Sequence, residues 1–141
     1  MTVSSATTRN SYSGNASTTA FAYGFKIFAT TDLEVVIRSA AGVETIKTLS
    51  THYSVSGAGV ASGGNVTFGS APASGETVII RRKLTLTQGT DYVENDSFPA
   101  NSHEDALDRL TMITQQIQEE VGRSLKASTT TTLTTPTFTE A

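Results

Sequence analysis

The chain has 141 residues, with 10 Lys plus Arg against 13 Asp plus Glu, so its formal net charge is −3. A charge this small, without a basic stripe, argues against nucleic acid or an anionic membrane as the partner. The sequence has no cysteine, which excludes a disulfide scaffold, a Cys-ligated zinc site and a thiol nucleophile. Its first residues lack the basic and apolar regions of a secretory signal, and no apolar window is long enough to predict a membrane span.

The first two-thirds of the chain predict short β-strands. From about residue 9 to residue 86, apolar and polar residues alternate in runs that include residues 21–27, 33–37 and 78–80. A period of two is typical of half-buried strands. The glycine-rich segment 57–65 and the Gly- and Pro-containing segment 69–75 are turns between such runs. Six or seven strands spaced this closely predict a mainly β fold, either a small antiparallel β-sandwich or a partly open barrel.

After Pro99 the period changes and predicts one long amphipathic helix of about 24 residues. Ser102 followed by Asp105 resembles a capping box, and Pro99 should keep the helix from starting earlier. One apolar stripe recurs at three- and four-residue steps: Leu107, Leu110, Ile113 or Thr114, Ile117, Val121 and Leu125. Two partners fit this stripe, the sandwich of the same chain or copies of the helix in a short parallel bundle. The stripe is too short for a self-sufficient coiled coil.

These patterns divide the chain into four parts. We expect a flexible N-terminal arm (1–8), a β-domain (9–100), the amphipathic helix (101–127) and an extended Thr-rich linker (128–141). Thr repeats favour extended backbone, and Pro136 is incompatible with a helix interior. The last part therefore either continues toward something else, pairs with copies of itself, or is a frayed tail.

The sequence offers no recognisable set of catalytic residues. Its two histidines, His52 and His103, lie in different segments, and no serine sits in a Gly-x-Ser-x-Gly elbow. The acidic residues between positions 91 and 108 lack the spacing of a calcium loop. The glycine-rich loop lacks the Lys-Ser or Lys-Thr of a phosphate loop. We therefore predict no enzyme activity, no cofactor and no metal site.

Residues 81–83, Arg-Arg-Lys, form the basic run of the sequence. On a strand, Arg81 and Lys83 share one face and Arg82 lies on the other. Such a run is typical of a solvated edge strand that discourages aggregation. Alternatively, it pairs with acidic residues of a neighbouring chain.

Three segments in order carry a family resemblance. Residues 11–21 contain Tyr, Gly, a small polar run and Phe. Residues 71–82 contain Ala-Pro, a glycine, an apolar strand and a basic pair. Residues 91–100 form an Asp-aromatic stretch before an acidic helix start and a Gln/Glu-containing helix. Together they resemble the N-terminal virion-anchoring domain of tail fibres and tailspikes of short-tailed bacteriophages, whose members normally continue into a long shaft and a receptor-binding tip.

The resemblance implies a structural virion protein of the tail, made in the host cytoplasm. It implies a homotrimer that anchors the fibre to the tail adaptor and nozzle proteins for host attachment. The seam of the trimer would consist of Leu107, Leu110, Ile113, Ile117, Val121 and Leu125. We expect partner docking through the β-domain, at Gly57, Gly59, Gly63, Gly64, Pro72, Arg81 and Arg82, with the Thr-rich linker pointing away from the particle.

A carbohydrate-binding β-sandwich is the alternative function. Such modules usually present aromatic platforms, often with Trp, on an exposed face. This sequence has no Trp, and its aromatic residues mostly occupy core-like alternating positions. Glycan binding by the chain would favour this alternative.

Overall fold

The computed structural model describes residues 3–94 and 97–124. Within them, seven strands precede one helix. The strands are β1 (Arg9–Ser13), β2 (Ala20–Tyr23), β3 (Leu33–Arg38), β4 (Glu44–Ile46), β5 (Tyr53–Val55), β6 (Gly64–Phe68) and β7 (Thr77–Arg82), and the helix is α1 (Ala100–Gly122). A short 3-10 turn, Thr30–Asp32, leads into β3.

The strands form two antiparallel sheets. One has the order β1-β7-β3-β4 and the other the order β2-β6-β5. Among the described residues the sheets do not close into a barrel. The predicted mainly β fold is confirmed, and of its two forms the structure is consistent with the small sandwich followed by a helix. The predicted linker 128–141 lies outside the described residues.

The hydrophobic core lies between the two sheets. In the first sheet, Val35 of β3 pairs with Ile80 of β7, and both side chains are fully buried, as the alternation predicted. In the second sheet, β2 and β6 contribute aromatic and β-branched residues: Phe21, Tyr23, Val66 and Phe68. Phe25 and Ile27 are also buried in this core, but they follow the end of β2. The run 21–27 is therefore a strand only as far as Tyr23.

The helix begins earlier than the sequence predicted. α1 starts at Ala100 with Pro99 as its N-cap, and the His103 amide donates to the Pro99 carbonyl at 3.0 Å. The predicted capping box is therefore wrong, because Ser102 lies inside the first turn and the Asp105 side chain points to Lys26 instead. Proline is compatible with this position because its fixed φ, here −82°, suits the start of a helix. Among the described residues, no helix is both long and apolar enough to span a lipid bilayer.

Candidate functional site

The helix packs on the β-domain with its polar face. The buried residues of α1 are Asp108, Met112 and Gln116, which recur at four-residue steps. At about 100° per residue, Met112 lies about 200° around the helix axis from Leu110. The apolar stripe is therefore on the side of α1 that faces away from the sandwich. Of the two partners that the sequence left open for the stripe, the sandwich of the same chain is excluded.

The stripe is exposed along most of its length. Leu107, Leu110, Ile117 and Val121 keep between 46% and 63% of their surface accessible, and Ile113 is half-buried. Leu125, the last predicted seam residue, lies outside the described residues. An exposed row of large apolar residues on one helix face is typical of an interaction surface. The structure thus presents a candidate interface, which we call the α1 stripe, made of these four exposed residues and Ile113.

A buried ion pair attaches the inner face of α1 to the sandwich. Lys26, only 5% exposed, donates through Nζ to Asp108 Oδ2 at 2.8 Å, and the more exposed Asp105 carboxylate lies 3.6 Å from the same nitrogen. The ammonium also lies 4.6 Å from the centre of the Phe28 ring. The Val3 amide donates to the other oxygen of Asp108 at 3.2 Å. These contacts join the helix, the core and the N-terminal segment in one polar cluster.

A second group of contacts lies about two turns further along α1. Arg82, 2% exposed, donates to the Gln115 side chain at 2.5 Å and to the Lys26 carbonyl at 3.3 Å. Burial lowers the pKa of Arg82 to about 10. The Leu84 amide donates to Gln116 Oε1 at 2.8 Å, which satisfies a buried backbone donor. We call these contacts, with the Lys26–Asp108 pair, the polar latch.

The basic run is paired within its own chain, and pairing with acidic residues of a neighbouring chain stays a prediction. Its strand, β7, is central in its sheet, so the edge-strand interpretation is wrong. Arg81 and Lys83 share a face as predicted, and both bond to Glu34 of the same chain, Arg81 Nε at 2.6 Å. Burial by itself would raise the pKa of Glu34, but hydrogen bonds from Lys83 and Arg81 hold it below the ordinary value. Arg82 faces the helix, so its guanidinium is not presented to an outside partner.

The glycines expected to dock a partner have tight packing roles. A Cβ on Gly63 would lie 1.9 Å from the Tyr23 carbonyl oxygen, and one on Gly64 would lie 2.1 Å from the Ser56 carbonyl oxygen. Gly57 combines a positive φ of 83° with a similar close approach. Gly59 has a positive φ of 80° but open space around it. Gly63 thus lets the loop approach the backbone at the end of β2, whereas Gly57 and Gly64 let the two sides of the loop approach each other. In this loop, exposed positions such as Ala58 and Ser62 can contact a partner.

The structure separates the predicted docking residues into two groups. The glycine loop 57–63 precedes β6 and the Pro72 loop 69–75 follows it, so the loops lie at opposite ends of one strand. The glycine loop contacts the segment after β2, where Gly59 donates to the Ile27 carbonyl at 2.8 Å. Arg81 and Arg82 lie at the C-terminal end of β7, against α1. The expected docking residues are therefore spread over both ends of the sandwich, and their role in docking stays a prediction.

At the opposite end of the sandwich from the polar latch, three loops come together. Ala16 donates its amide to the Pro72 carbonyl at 2.8 Å, and Gly75 approaches the turn at Ala40. Beside them is an open pocket of about 320 Å³ whose floor includes Ile37 and Phe68. We call residues 14–18, 39–43 and 69–76 the distal loop cluster. Pro72 itself is buried, so exposed residues around it form the surface.

An exposed aromatic group before the helix was missed at the sequence level. Tyr92 and Phe98 have nearly parallel rings 6.5 Å apart, and the Tyr92 hydroxyl lies 3.1 Å from His103 Nδ1. Phe98 is 68% exposed. Alternation could not reveal the group, because these residues lie in an irregular segment. Within the described ranges, no group of three or more His, Asp or Glu side chains could hold a metal ion.

Comparison with known proteins gives one relevant relative. No protein-family model matches the chain. The chain is 40% identical over 126 residues to a tail spike protein of Salmonella phage epsilon15. The match covers 89% of this chain but only 12% of the tail spike protein, so the chain spans about an eighth of that relative's length. The resemblance stated from the three sequence segments is thereby confirmed: the chain is related over most of its length to a podovirus tail spike protein, and the extent of the match is consistent with an N-terminal domain of such a protein.

Proposed function

We propose that the chain is the base of a tail fibre or tailspike: a structural virion protein that trimerises through α1 and anchors the fibre to the tail adaptor and nozzle for host attachment. The similarity to a tail spike protein supports a phage tail structural protein located in the virion tail. The observation that carries the finer proposal is the orientation of α1. Its polar face is latched to the sandwich, and its apolar stripe is left for a partner. The role is structural, and it requires no cofactor.

Burial of the stripe supplies a free energy of the right size for assembly. Full burial of a large aliphatic side chain contributes about 1.5–3 kcal/mol, and the stripe residues are about half exposed. Burying the exposed half of four such residues therefore contributes about 4 kcal/mol per chain. This free energy can contribute to a trimer, but it is too small to hold three isolated helices together. The β-domain must therefore hold α1 in place, as the polar latch does.

The trimer is tested by placing charge in the stripe. The double variant Ile113→Asp/Ile117→Asp would bury two unpaired carboxylates per chain, at a cost of several kcal/mol. We expect native mass spectrometry to show a trimer for the wild type and a folded monomer for the variant. The control Thr48→Asp/Thr67→Asp adds the same charge at exposed positions away from α1 and should remain trimeric. A double variant that stays trimeric would exclude the stripe as the seam.

We propose the distal loop cluster as the docking surface. It lies at the opposite end of β7 from Arg82, where the polar latch holds α1. Arg123, at the end of α1, reaches only as far as the pocket beside Glu44, so the exposed residues of loops 14–18 and 69–76 remain available for contact. Loops on a rigid scaffold commonly carry recognition, and a folded surface loses less conformational entropy on docking than a mobile tail does. The pocket beside Pro72 offers a concave contact for a partner side chain. We expect residues 128–141 to lead away from the particle toward a shaft or partner, and a deletion tests this polarity.

Docking is tested by pull-down against purified phage tails. We expect Ala41→Arg/Ser74→Arg, both at exposed positions of the distal loop cluster, to abolish attachment while the protein stays trimeric. The control Ala58→Arg/Ser62→Arg changes the loop at the opposite end and should attach normally. Deletion of residues 128–141 should also leave attachment intact. If only the deletion abolished attachment, the proposed polarity would be reversed.

One observation favours the carbohydrate-binding alternative. Tyr92 and Phe98 form an exposed aromatic pair, which is the kind of platform that sugar-binding modules use. However, His103 of the same group lies on the stripe side of α1, since it is seven residues before Leu110. The group therefore also fits the N-terminal end of a helical seam. Glycan-array binding that is lost in Phe98→Ala would support the alternative, and no binding by the trimer would support the anchor.

A further inference from the structure

A strap of backbone runs along one side of α1. Arg109 attaches it to the helix, donating to the Thr85 carbonyl at 3.0 Å, the Thr85 hydroxyl at 2.7 Å and the Thr87 carbonyl at 3.3 Å. We call residues 85–90 the strap. Its apolar residue Leu86 is 67% exposed, although both neighbouring threonines bond to the helix. The strap thus holds a large apolar side chain beside the α1 stripe.

An apolar groove lies between the strap and the helix. Its volume is about 300 Å³, which accommodates a leucine side chain. The groove is lined mainly by apolar side chains and the strap backbone: Leu86, Gly89, Ala106, Leu110, Ile113 and Ile117. Three of these residues, Leu110, Ile113 and Ile117, belong to the α1 stripe. The groove is therefore continuous with the proposed seam.

The symmetry of a trimer requires the stripe to have two different flanks. In a closed threefold ring every contact is heterologous, so one patch of each chain meets a different patch of the next chain. Measured around the helix from Leu110, Ile113 lies about 60° to one side and Leu107 about 60° to the other. The groove lies on the Ile113 flank. Leu107 is the large exposed apolar residue on the opposite flank.

We propose that Leu107 of each chain inserts into the strap groove of the next chain. This inference rests on the proposed trimer and specifies its contact. Parallel helices around a threefold axis place equal residues at equal heights, and the groove extends along α1 from Ala106 to Ile117. Leu107 therefore enters its N-terminal part, against Ala106 and the strap. The contact adds burial outside the central row of the seam, which a short helix alone could not provide.

Cysteine cross-linking tests this contact directly, because the chain has no cysteine of its own. The protein to be tested is the full chain with the two substitutions Leu86→Cys and Leu107→Cys. Within one chain the helix separates these two positions, since they lie on opposite flanks, so a disulfide between them must join two chains. Mild oxidation with diamide should give a covalent trimer on a non-reducing gel that disappears on reduction. In the matched control Thr67→Cys/Leu107→Cys, the first cysteine lies on β6 of the three-stranded sheet, away from the groove. This control should give no covalent trimer.

A substitution provides a second, independent measurement. Leu86→Asp should raise the concentration at which the trimer dissociates by roughly tenfold or more, because it places a carboxylate in the groove that receives Leu107. The unfolding of the separated chain should stay unchanged, since Leu86 is exposed in the single chain. If the wild type is a trimer but either the covalent trimer is missing or Leu86→Asp assembles normally, the inserted Leu107 is excluded and the trimer stands. If the wild type is a monomer, both the proposed trimer and the proposed Leu107 contact are refuted.

Discussion

The polar latch predicts a large stability loss from a single substitution, Asp108→Ala. The variant removes the carboxylate that lies 2.8 Å from Lys26 Nζ and leaves an ammonium that is 5% exposed. It also removes the acceptor of the Val3 amide. Burial of a charge is costly unless it is paired, so the loss arises mainly from the lysine that remains.

The magnitude follows from what can replace the lost carboxylate. Breaking a buried ion pair by removing one partner costs about 3–5 kcal/mol. Asp105 is already 3.6 Å from the same ammonium but is more than half exposed, so it compensates only in part. We therefore expect Asp108→Ala to lower the free energy of unfolding by about 2–4 kcal/mol. For a domain of this size the melting temperature should fall by about 6–16 °C.

Urea and thermal unfolding at one fixed protein concentration provide the measurement, since the proposed assembly would make stability depend on concentration. Asp105→Ala is the matched control and should cost less than about 1 kcal/mol, because its pair with Lys26 is longer and solvated. The double variant Lys26→Met/Asp108→Leu removes both charges and should be close to neutral. If Asp108→Ala is no more destabilising than Asp105→Ala, the buried pair does not hold the helix.

Two further predictions concern the sandwich. The pKa of Glu34 is lowered from 4.5 in the folded protein, so the carboxylate stabilises the fold above that pH, and the stabilisation is lost as the pH falls through the folded-state pKa. Urea unfolding should show that Glu34→Gln is destabilised at pH 7 and that this deficit shrinks as the pH is lowered below 4.5, whereas a constant deficit would contradict the prediction. Gly63→Ala should be at least about 2 kcal/mol more destabilising than Gly59→Ala. Both glycines have a positive φ, but only a Cβ on Gly63 would meet the Tyr23 carbonyl, at 1.9 Å, so equal melting temperatures would exclude the clash.

Alternation predicted the strands that contribute to the core, but not the others. β3 and β7 bury alternate residues between the sheets, and their period of two is visible in the sequence. β1 and β4 lack this signal: β1 is mostly Ser, Asn and Arg, and every side chain of β4 is exposed. They are strands because they pair with β7 and β3 at the edges of a sheet. Pairing of this kind depends on residues far away in the chain, which a local pattern does not contain.

Periodicity also predicted the helix and its apolar stripe, but not which side of the helix faces the β-domain. A stripe on a helix normally marks the side that packs on the core. Here the inner side is chosen by two cations, Lys26 and Arg82, which are buried although such residues are usually exposed. Their partners on α1 are Asp108 and Gln115, more than thirty positions away in sequence. Lys26 had no local signal, because it occupies a polar position within an apolar run.

The orientation of α1 has a physical explanation in the polar latch. In a monomer, rotating α1 by about 180° around its own axis would bury the stripe on the sandwich and return Asp108 to water. The latch opposes that turn, because it would leave Lys26 and Arg82 buried without Asp108 and Gln115. The latch therefore selects one rotation of the helix, and the exposed stripe is the consequence.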